Sequence, residues 1–213
     1  MTKIIVSGFS ISLDGYGAGI NQSLINPIGE NGTGLHNWLR ATQMFHKMIG
    51  KEGGLEGIDN DYAIQSMAEC GAFIMGRNMF TPERGEWSDS EWRGWWGDNP
   101  PYHAPTFILT HYPRAPIEME GGTTFYFISD GIISALEKAK ALSNGKNVKI
   151  AGGVSTVRQY LQAGLVDELH LAISPVFLGS GEEMFNDINI PALGFVVAKR
   201  DITENATHII LRK

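Results

Sequence analysis

Val148-Lys149-Ile150-Ala151-Gly152-Gly153-Val154-Ser155-Thr156 is the stretch that decides the fold. A short apolar run breaks off at two glycines and passes directly into a helical pattern, with Val157, Tyr160 and Leu161 apolar and Gly164 as the stop. A buried strand that opens straight into a helix is the start of a parallel crossover. The paired glycines let a backbone approach a ligand closely, and the helix beyond them presents unpaired N–H groups and a positive dipole end. A phosphate or pyrophosphate fits that place. A plain tight turn with Ser155 or Thr156 as the N-cap fits it equally.

Working outward, short β-branched or aromatic runs recur at residues 3–9, 72–75, 106–110, 124–128, 148–151, 168–174, 195–199 and 207–211, which predicts about eight strands. Helical patterns fall between several of them. Residues 130–143 place Ile132, Ile133, Leu136, Ala139 and Leu142 on one face, with Asp130 as N-cap and Gly145 beyond the end. Residues 155–163, 61–70 and 36–49 are predicted as further helices, the second capped by Asp61 and the third carrying Trp38, Ala41, Phe45 and Met48 at helical spacing. Alternating strands and helices imply an α/β fold with a central, mixed, mostly parallel sheet flanked by helices. The last three strands lack intervening helices and add antiparallel edges. No repeat, low-complexity stretch or charged linker divides the chain, so residues 1–213 are expected to form a single domain. Two connections, 15–34 and 81–105, exceed ordinary loop length and are expected to cover something. The second carries Trp87, Trp92, Trp95 and Trp96.

Composition excludes several classes. With 213 residues, 43% hydrophobic and 19% charged, the chain can bury a sizeable core. A formal charge of −6 gives no basic field for a nucleic-acid backbone or an anionic lipid surface. The lone cysteine, Cys70, suits a reducing compartment, so the cytoplasm is expected. No apolar run approaches the roughly 20 residues of a membrane span, and the apolar start at Ile4-Ile5-Val6 is too short for a signal peptide.

A second strand end, Phe73-Ile74-Met75-Gly76-Arg77, sets a guanidinium beside a glycine, where it can fork onto a phosphate or form a surface ion pair. General nucleotide motifs fail. Gly15-Tyr16-Gly17-Ala18-Gly19 puts Ile20 where G-x-G-x-x-G needs its last glycine, and no P-loop is present. The six histidines have no H-E-x-x-H or C-x-x-C partner, so no metal is expected. The serines near the first strand lack a G-x-S-x-G elbow.

Taken in order, Ser12-Leu13-Asp14-Gly15, Ile74-Met75-Gly76-Arg77, Ile108-Leu109-Thr110-His111, Ile150-Ala151-Gly152-Gly153 and Gly164-Leu165-Val166-Asp167-Glu168-Leu169 leading into Pro175-Val176-Phe177-Leu178-Gly179-Ser180-Gly181 resemble the dihydrofolate reductase-like superfamily. The resemblance is closest to the reductase (C-terminal) domain of the bifunctional riboflavin deaminase-reductases and its stand-alone relatives. It implies an NADPH-dependent reductase, often a homodimer, that transfers a hydride to a small heterocyclic substrate, as in 5-amino-6-(5-phosphoribosylamino)uracil reductase or dihydrofolate reductase. The alternative is a nucleotide-binding protein of the same fold without turnover.

By that resemblance Gly76, Arg77, Thr110 and His111 lie near the adenosine 2′-phosphate and ribose. Gly152, Gly153, Val154, Ser155 and Thr156 hold the pyrophosphate, and Ala18 and Gly19 touch the nicotinamide. Asp14 is the carboxylate placed for proton handling or substrate binding, with an Asp-Gly turn as the competing reading. Trp38, Asp59 and Asp61 are the candidate substrate residues. Met79 stands where the family usually has threonine, Ala151 where riboflavin-pathway reductases commonly carry an acid, and residues 81–87 where they carry an arginine-rich, phosphate-gripping stretch. His36-Asn37-Trp38-Leu39-Arg40-Ala41 keeps the Trp and Leu of a dihydrofolate reductase first helix without its acid. The substrate preference is expected in the stretch 29–57 and the tryptophan-rich loop.

Overall fold

The computed structural model describes residues 2–88 and 91–213; Asp89 and Ser90 of the tryptophan-rich loop lie outside the described residues. In chain order the elements are β1 (Ile4–Ile11), β2 (Tyr16–Ala18), α1 (Asn37–Arg40), α2 (Gln43–Met48), α3 (Ile58–Met67), β3 (Cys70–Gly76), α4 (Arg77–Phe80), β4 (Pro105–Leu109), β5 (Ile117–Glu118), β6 (Thr124–Ile128), α5 (Gly131–Leu142), β7 (Asn147–Gly152), α6 (Val154–Gln162), β8 (Glu168–Ile173), β9 (Glu182–Glu183), β10 (Val196–Ile202) and β11 (Thr207–Arg212). Among the described residues the main sheet has nine strands, ordered β10-β11-β8-β1-β7-β3-β4-β6-β5. From β8 to β6 the pairing is parallel, and β10, β11 and β5 are antiparallel edges. The strand of this sheet beyond the eight predicted is β5, two residues long, and β2 and β9, three and two residues long, pair in a separate two-stranded sheet; all three are too short to show a period.

Alternation along the strands divides the core between the two faces. Ala72 and Ile74 of β3, with Val148 and Ile150 of β7, pack with Leu136 of α5 and Val157 and Leu161 of α6. Phe73 and Met75, one position out of phase, point the other way, where Trp87, Trp92 and Trp96 of the long loop pack with them. Farther along the sheet, Trp38 of α1 and Tyr62 and Ala63 of α3 gather with Ala172 and Ile210 of β8 and β11.

Three predicted local features take another form. Residues 36–49 are not one helix. Thr42 is extended (φ −77°, ψ 152°), its hydroxyl donates to the Leu39 carbonyl at 2.7 Å and accepts the Phe45 N–H, and Leu55 bonds to Ala41 and Gln43 on either side of it. A threonine that satisfies the backbone locally competes with helix continuation, and a distant strand-like partner completes the break. Asp61 lies inside α3, which is capped at Gly57. Asp130 takes the expected N-cap position of α5 but makes no capping bond; its carboxylate accepts from Ser134 and Lys138 instead.

Candidate functional site

The site follows from strand register. Met75 lies opposite Gly152, Gly76 opposite Leu109, and Leu109 opposite Ile128, so the ends of β7, β3, β4 and β6 fall level. The residues one position beyond these ends, Gly153, Arg77, Thr110 and Ser129, therefore stand along one crevice at the carboxyl edge of the sheet, where open α/β sheets bind ligands. Beyond Ile4–Val148 and Ile5–Lys149 the strands β1 and β7 part, as β1 follows β8 across a bulge between Val6 and Phe9. Phe9 and Ser10 then line a cavity together with Ala151–Val154.

Two cavities result. One, of about 360 Å³, is polar and bounded by Arg77, Arg84, Thr110, His111, Ser129, Ser155, Thr156 and Gln159. The other, of about 710 Å³, is mainly apolar and lies between the α1–α2 segment and the tryptophan-rich loop, with Ala18, Ile28 and Met79 among its lining. Asn78, Gly153 and Glu182 border both, so the two are lobes of one elongated cleft.

At the junction the peptide Gly152–Gly153 is cis. No side chain among the described residues caps α6: Ser155 and Thr156 lie within the helix, and Gly153 is the N-cap. The first-turn amides of this nine-residue helix are thus left without a side-chain acceptor. A Cβ added at Gly153 would meet nothing within 4 Å, so there is open space beside the backbone. Gly76 is required for a different reason, since its Cβ would come within 2.3 Å of Thr156 Oγ1. Close contact between the end of β3 and the first turn of α6 draws the two strand ends into one cradle.

Arg77 stacks 3.9 Å from the centroid of Trp87 and donates to the carbonyls of Gly85 and Glu86. Burial pulls its pKa below the ordinary arginine value. Its Nε is buried and without a partner among the described residues. Arg84 is exposed at the same lobe and is a second cation there. Thr110 Oγ1 accepts the Tyr112 N–H at 3.1 Å, which turns the chain after β4. Met79, by contrast, lines the apolar lobe, with its sulfur 3.2 Å from where a Gly152 Cβ would be. The Thr-to-Met departure therefore falls outside the polar lobe.

The other expected site residues divide. Ala18 lines the apolar lobe, whereas Gly19 lies behind it: its N–H donates to the Ile28 carbonyl at 2.8 Å, and a Cβ there would run into the Glu30 carbonyl. Asp14 is not brought to the cleft. It accepts the amides of Leu178 and Gly179 at 3.1 and 2.7 Å, and the Ser12 side chain, with these two bonds, holds its carboxyl below the usual carboxylate range. Asp14 is thus a clamp between the β1–β2 turn and the loop after β8. Asp61 is exposed on α3.

Trp38 and Asp59 lie outside this cleft, lining a third cavity of about 310 Å³ together with Thr203 and Asn205, and are bonded to the cleft floor. Trp38 Nε1 donates to Ser10 Oγ at 2.8 Å. The Gly8 N–H donates to His170 Nδ1 (3.1 Å), His170 Nε2 meets His208 Nδ1 (3.0 Å), and His208 Nε2 meets Asp59 Oδ1 (2.9 Å). Because a backbone amide can only donate, every proton in this chain is fixed: both imidazoles are neutral, each passes a hydrogen bond onward, and Asp59 accepts the last. Tyr62 stacks on His208. The chain ends on the β1 bulge that carries Phe9 and Ser10 into the cleft.

Among the lining residues not foreseen from sequence are Arg84, Ser129 and Gln159 in the polar lobe, and His36, Arg40, Asn78 and Glu182 in or beside the apolar one. The tryptophan-rich loop is anchored rather than free: Trp87 and Trp92 donate their indole N–H to the carbonyls of Tyr112 and Phe80, both at 2.9 Å, and Trp95 and Trp96 form the cleft wall.

This architecture, a mostly parallel sheet with a cleft along its carboxyl edge, is of the dihydrofolate reductase-like class. Within that class, the model of the RibD C-terminal domain matches residues 3–208, and the chain belongs to that family. A Shewanella sp. PV-4 protein provisionally assigned to riboflavin biosynthesis shares the fold (TM-score 0.59, 20% identity, covering 100% of this chain and 98% of that one). So does a Thermotoga maritima diaminohydroxyphosphoribosylaminopyrimidine deaminase/5-amino-6-(5-phosphoribosylamino)uracil reductase, at TM-score 0.54 and 13% identity, over 99% of this chain and 56% of the larger protein. A pyrimidine reductase-like protein of Corynebacterium diphtheriae matches at TM-score 0.52 and 14% identity, over 99% and 91% of the two chains. By sequence, the uncharacterized protein YyaP of Bacillus subtilis strain 168 is 40% identical over 62 residues, 29% of this chain and 32% of that relative. Among the described residues no helix is long and apolar enough to cross a membrane, and no group of three metal-ligating side chains is found.

Proposed function

We infer that the protein is an NADPH-dependent reductase of a small conjugated substrate, with the adenosine half of the cofactor in the polar lobe and the nicotinamide in the apolar one. The observation that carries this reading is the joining of the two lobes at Gly153, directly under the uncapped start of α6. The residues fit the group: open space beside Gly153, and, among the described residues, first-turn amides without side-chain acceptors and an unpartnered Arg77 Nε are what a dinucleotide's phosphates take up. Arg77 and Arg84 would hold the 2′-phosphate, Thr110, His111 and Ser129 would surround the ribose, and Gly17 and Ala18 would lie against the carboxamide. When bound, the reduced cofactor supplies a hydride to an electron-poor carbon of the substrate and leaves oxidised, with the accompanying proton drawn from water. The chain's own contribution is to orient the two rings and exclude bulk water between Phe9, Met79 and the tryptophan wall.

A thermal-shift titration tests the assignment. NADPH at 100 times its Kd stabilises by about 2.7 kcal/mol, which corresponds to roughly 5–11 °C for a chain of this size. Arg84→Ala and Arg77→Ala are expected to weaken NADPH more than NADH. No shift at millimolar NADPH would remove the cofactor from the reading. The second reading, binding without turnover, draws on the lack of a carboxylate other than Glu182 along the apolar lobe among the described residues; oxidation of NADPH by an added acceptor excludes it. The implied homodimer predicts sedimentation at twice the 23.4-kDa chain mass.

A further inference from the structure

The geometry points to a substrate that is an uncharged, planar conjugated ring without a phosphate, held between the α1–α2 wall and the tryptophan wall. This rests on the reductase reading above and narrows its substrate. One wall is Leu39, Phe45, Met48 and Ile49, and the other is Trp95 and Trp96, so the space beside the nicotinamide is flanked by aromatic and aliphatic surface. Such walls favour a flat apolar ring. A sugar phosphate would have to leave water for two facing walls of Leu39, Phe45, Met48, Ile49, Trp95 and Trp96, which offer no side-chain donor except the two indole N–H groups.

The charged side chains lining this lobe, among the described residues, are Arg40 and Glu182. Arg40 is exposed, and its Nη1 donates to the Thr33 carbonyl at 2.8 Å, while Glu182 lies at the junction of the two lobes. The cations of the cleft, Arg77 and Arg84, belong to the other lobe. The uncharged polar side chains of the lobe include Ser10, Gln22, Asn78 and Asn99, and His36 Nδ1 is buried without a partner among the described residues. Burial and the nearby Arg40 push the imidazole down to about 4, so at neutral pH it offers a neutral hydrogen-bonding atom to one polar edge of the ring.

The test is isothermal titration calorimetry on the NADP⁺-saturated full chain, with menadione as the uncharged planar probe and uridine 5′-monophosphate as the phosphorylated pyrimidine. Menadione is expected to bind at least tenfold more tightly. Phe45→Ala is expected to lower its affinity about tenfold with NADP⁺ affinity unchanged. Equal or tighter binding of the monophosphate, particularly if Arg40→Ala abolishes it, overturns the inference. So does failure of menadione to bind, or binding indifferent to Phe45→Ala, which would mark it as nonspecific. If NADP⁺ and NADPH do not bind yet menadione binds through Phe45, the cofactor assignment falls and the chemistry of the lobe stands.

Discussion

Replacing Asp59 by alanine tests whether the buried chain from Asp59 to Gly8 holds the cavity floor. The carboxylate accepts from His208 Nε2 at 2.9 Å, from Thr203 Oγ1 at 2.8 Å and from Asn205 Nδ2 at 3.1 Å. These three do not weigh equally. Thr203 already has a second acceptor in the Ala206 carbonyl at 3.0 Å, and Asn205 is only partly buried, so both can rebond locally or to water. His208 is fully buried, and its tautomer is dictated from the other end of the chain, so its Nε2–H would be stranded. A stranded buried donor costs about 1–3 kcal/mol, and a hydrogen bond to a charged group contributes a comparable amount. The expected loss is about 2–4 kcal/mol, or roughly 4–16 °C in Tm for a domain of this length. Asp59→Asn keeps one carbonyl for His208 and should lose less than half as much. Thermal melts read the stability, and amide exchange at Gly8 reads the distant end, where protection should fall in parallel. An Asp59→Ala protein that melts within a degree of the parent, or one in which Gly8 stays fully protected, would refute the chain as a structural unit.

The same geometry sets two further outcomes. Gly76→Ala brings a Cβ to 2.3 Å from Thr156 Oγ1, so NADPH affinity should drop tenfold or more; adding Thr156→Ala should recover most of it, and strict additivity of the two changes would count against the shared cradle. Stability should also depend on pH through His170, which burial and the neighbouring His208 hold at about 3 against an ordinary 6.5. Between those values the unfolded chain binds a proton that the folded one refuses, so stability is complete above about pH 6.5 and declines as pH falls towards 3. Urea unfolding at pH 7, 5 and 4 should show this slope, flattened in His170→Gln; an unchanged slope in the variant would assign acid lability to other groups.

What was legible in the sequence was whatever local pattern determines. The runs around Gly152 and Gly76 end where strands end, because alternation and the glycine stop are properties of a few adjacent residues. The break at Thr42 was not legible, since it depends on Leu55 arriving from outside the segment. Asp59 and Trp38 drew attention as acid and aromatic near a helix start, and the structure sets them outside the main cleft, beside a separate cavity and bonded to the cleft floor. Their partners lie far along the chain, Asp59 and His208 being 149 positions apart. Arg84 was hidden for the opposite reason: it lies in a loop without periodicity, and only register brings that loop beside β3 and β4. Asp14 shows that a carboxylate in an Asp-Gly turn can be fully occupied by two backbone amides.

The partition of the cleft bears on how readily this protein could change its chemistry. The polar cradle, where the proposed cofactor would bind, is built mainly from strand ends and a helix start, whereas the opposing walls of the apolar lobe come from two separate stretches of chain, each fastened to its own half of one sheet face. Either stretch can be exchanged, lengthened or recoloured with new side chains while the cradle keeps its shape. Such a chassis lends itself to directed evolution, in which libraries confined to residues 39–49 and 95–101 would explore new ligands without redesigning the polar cradle.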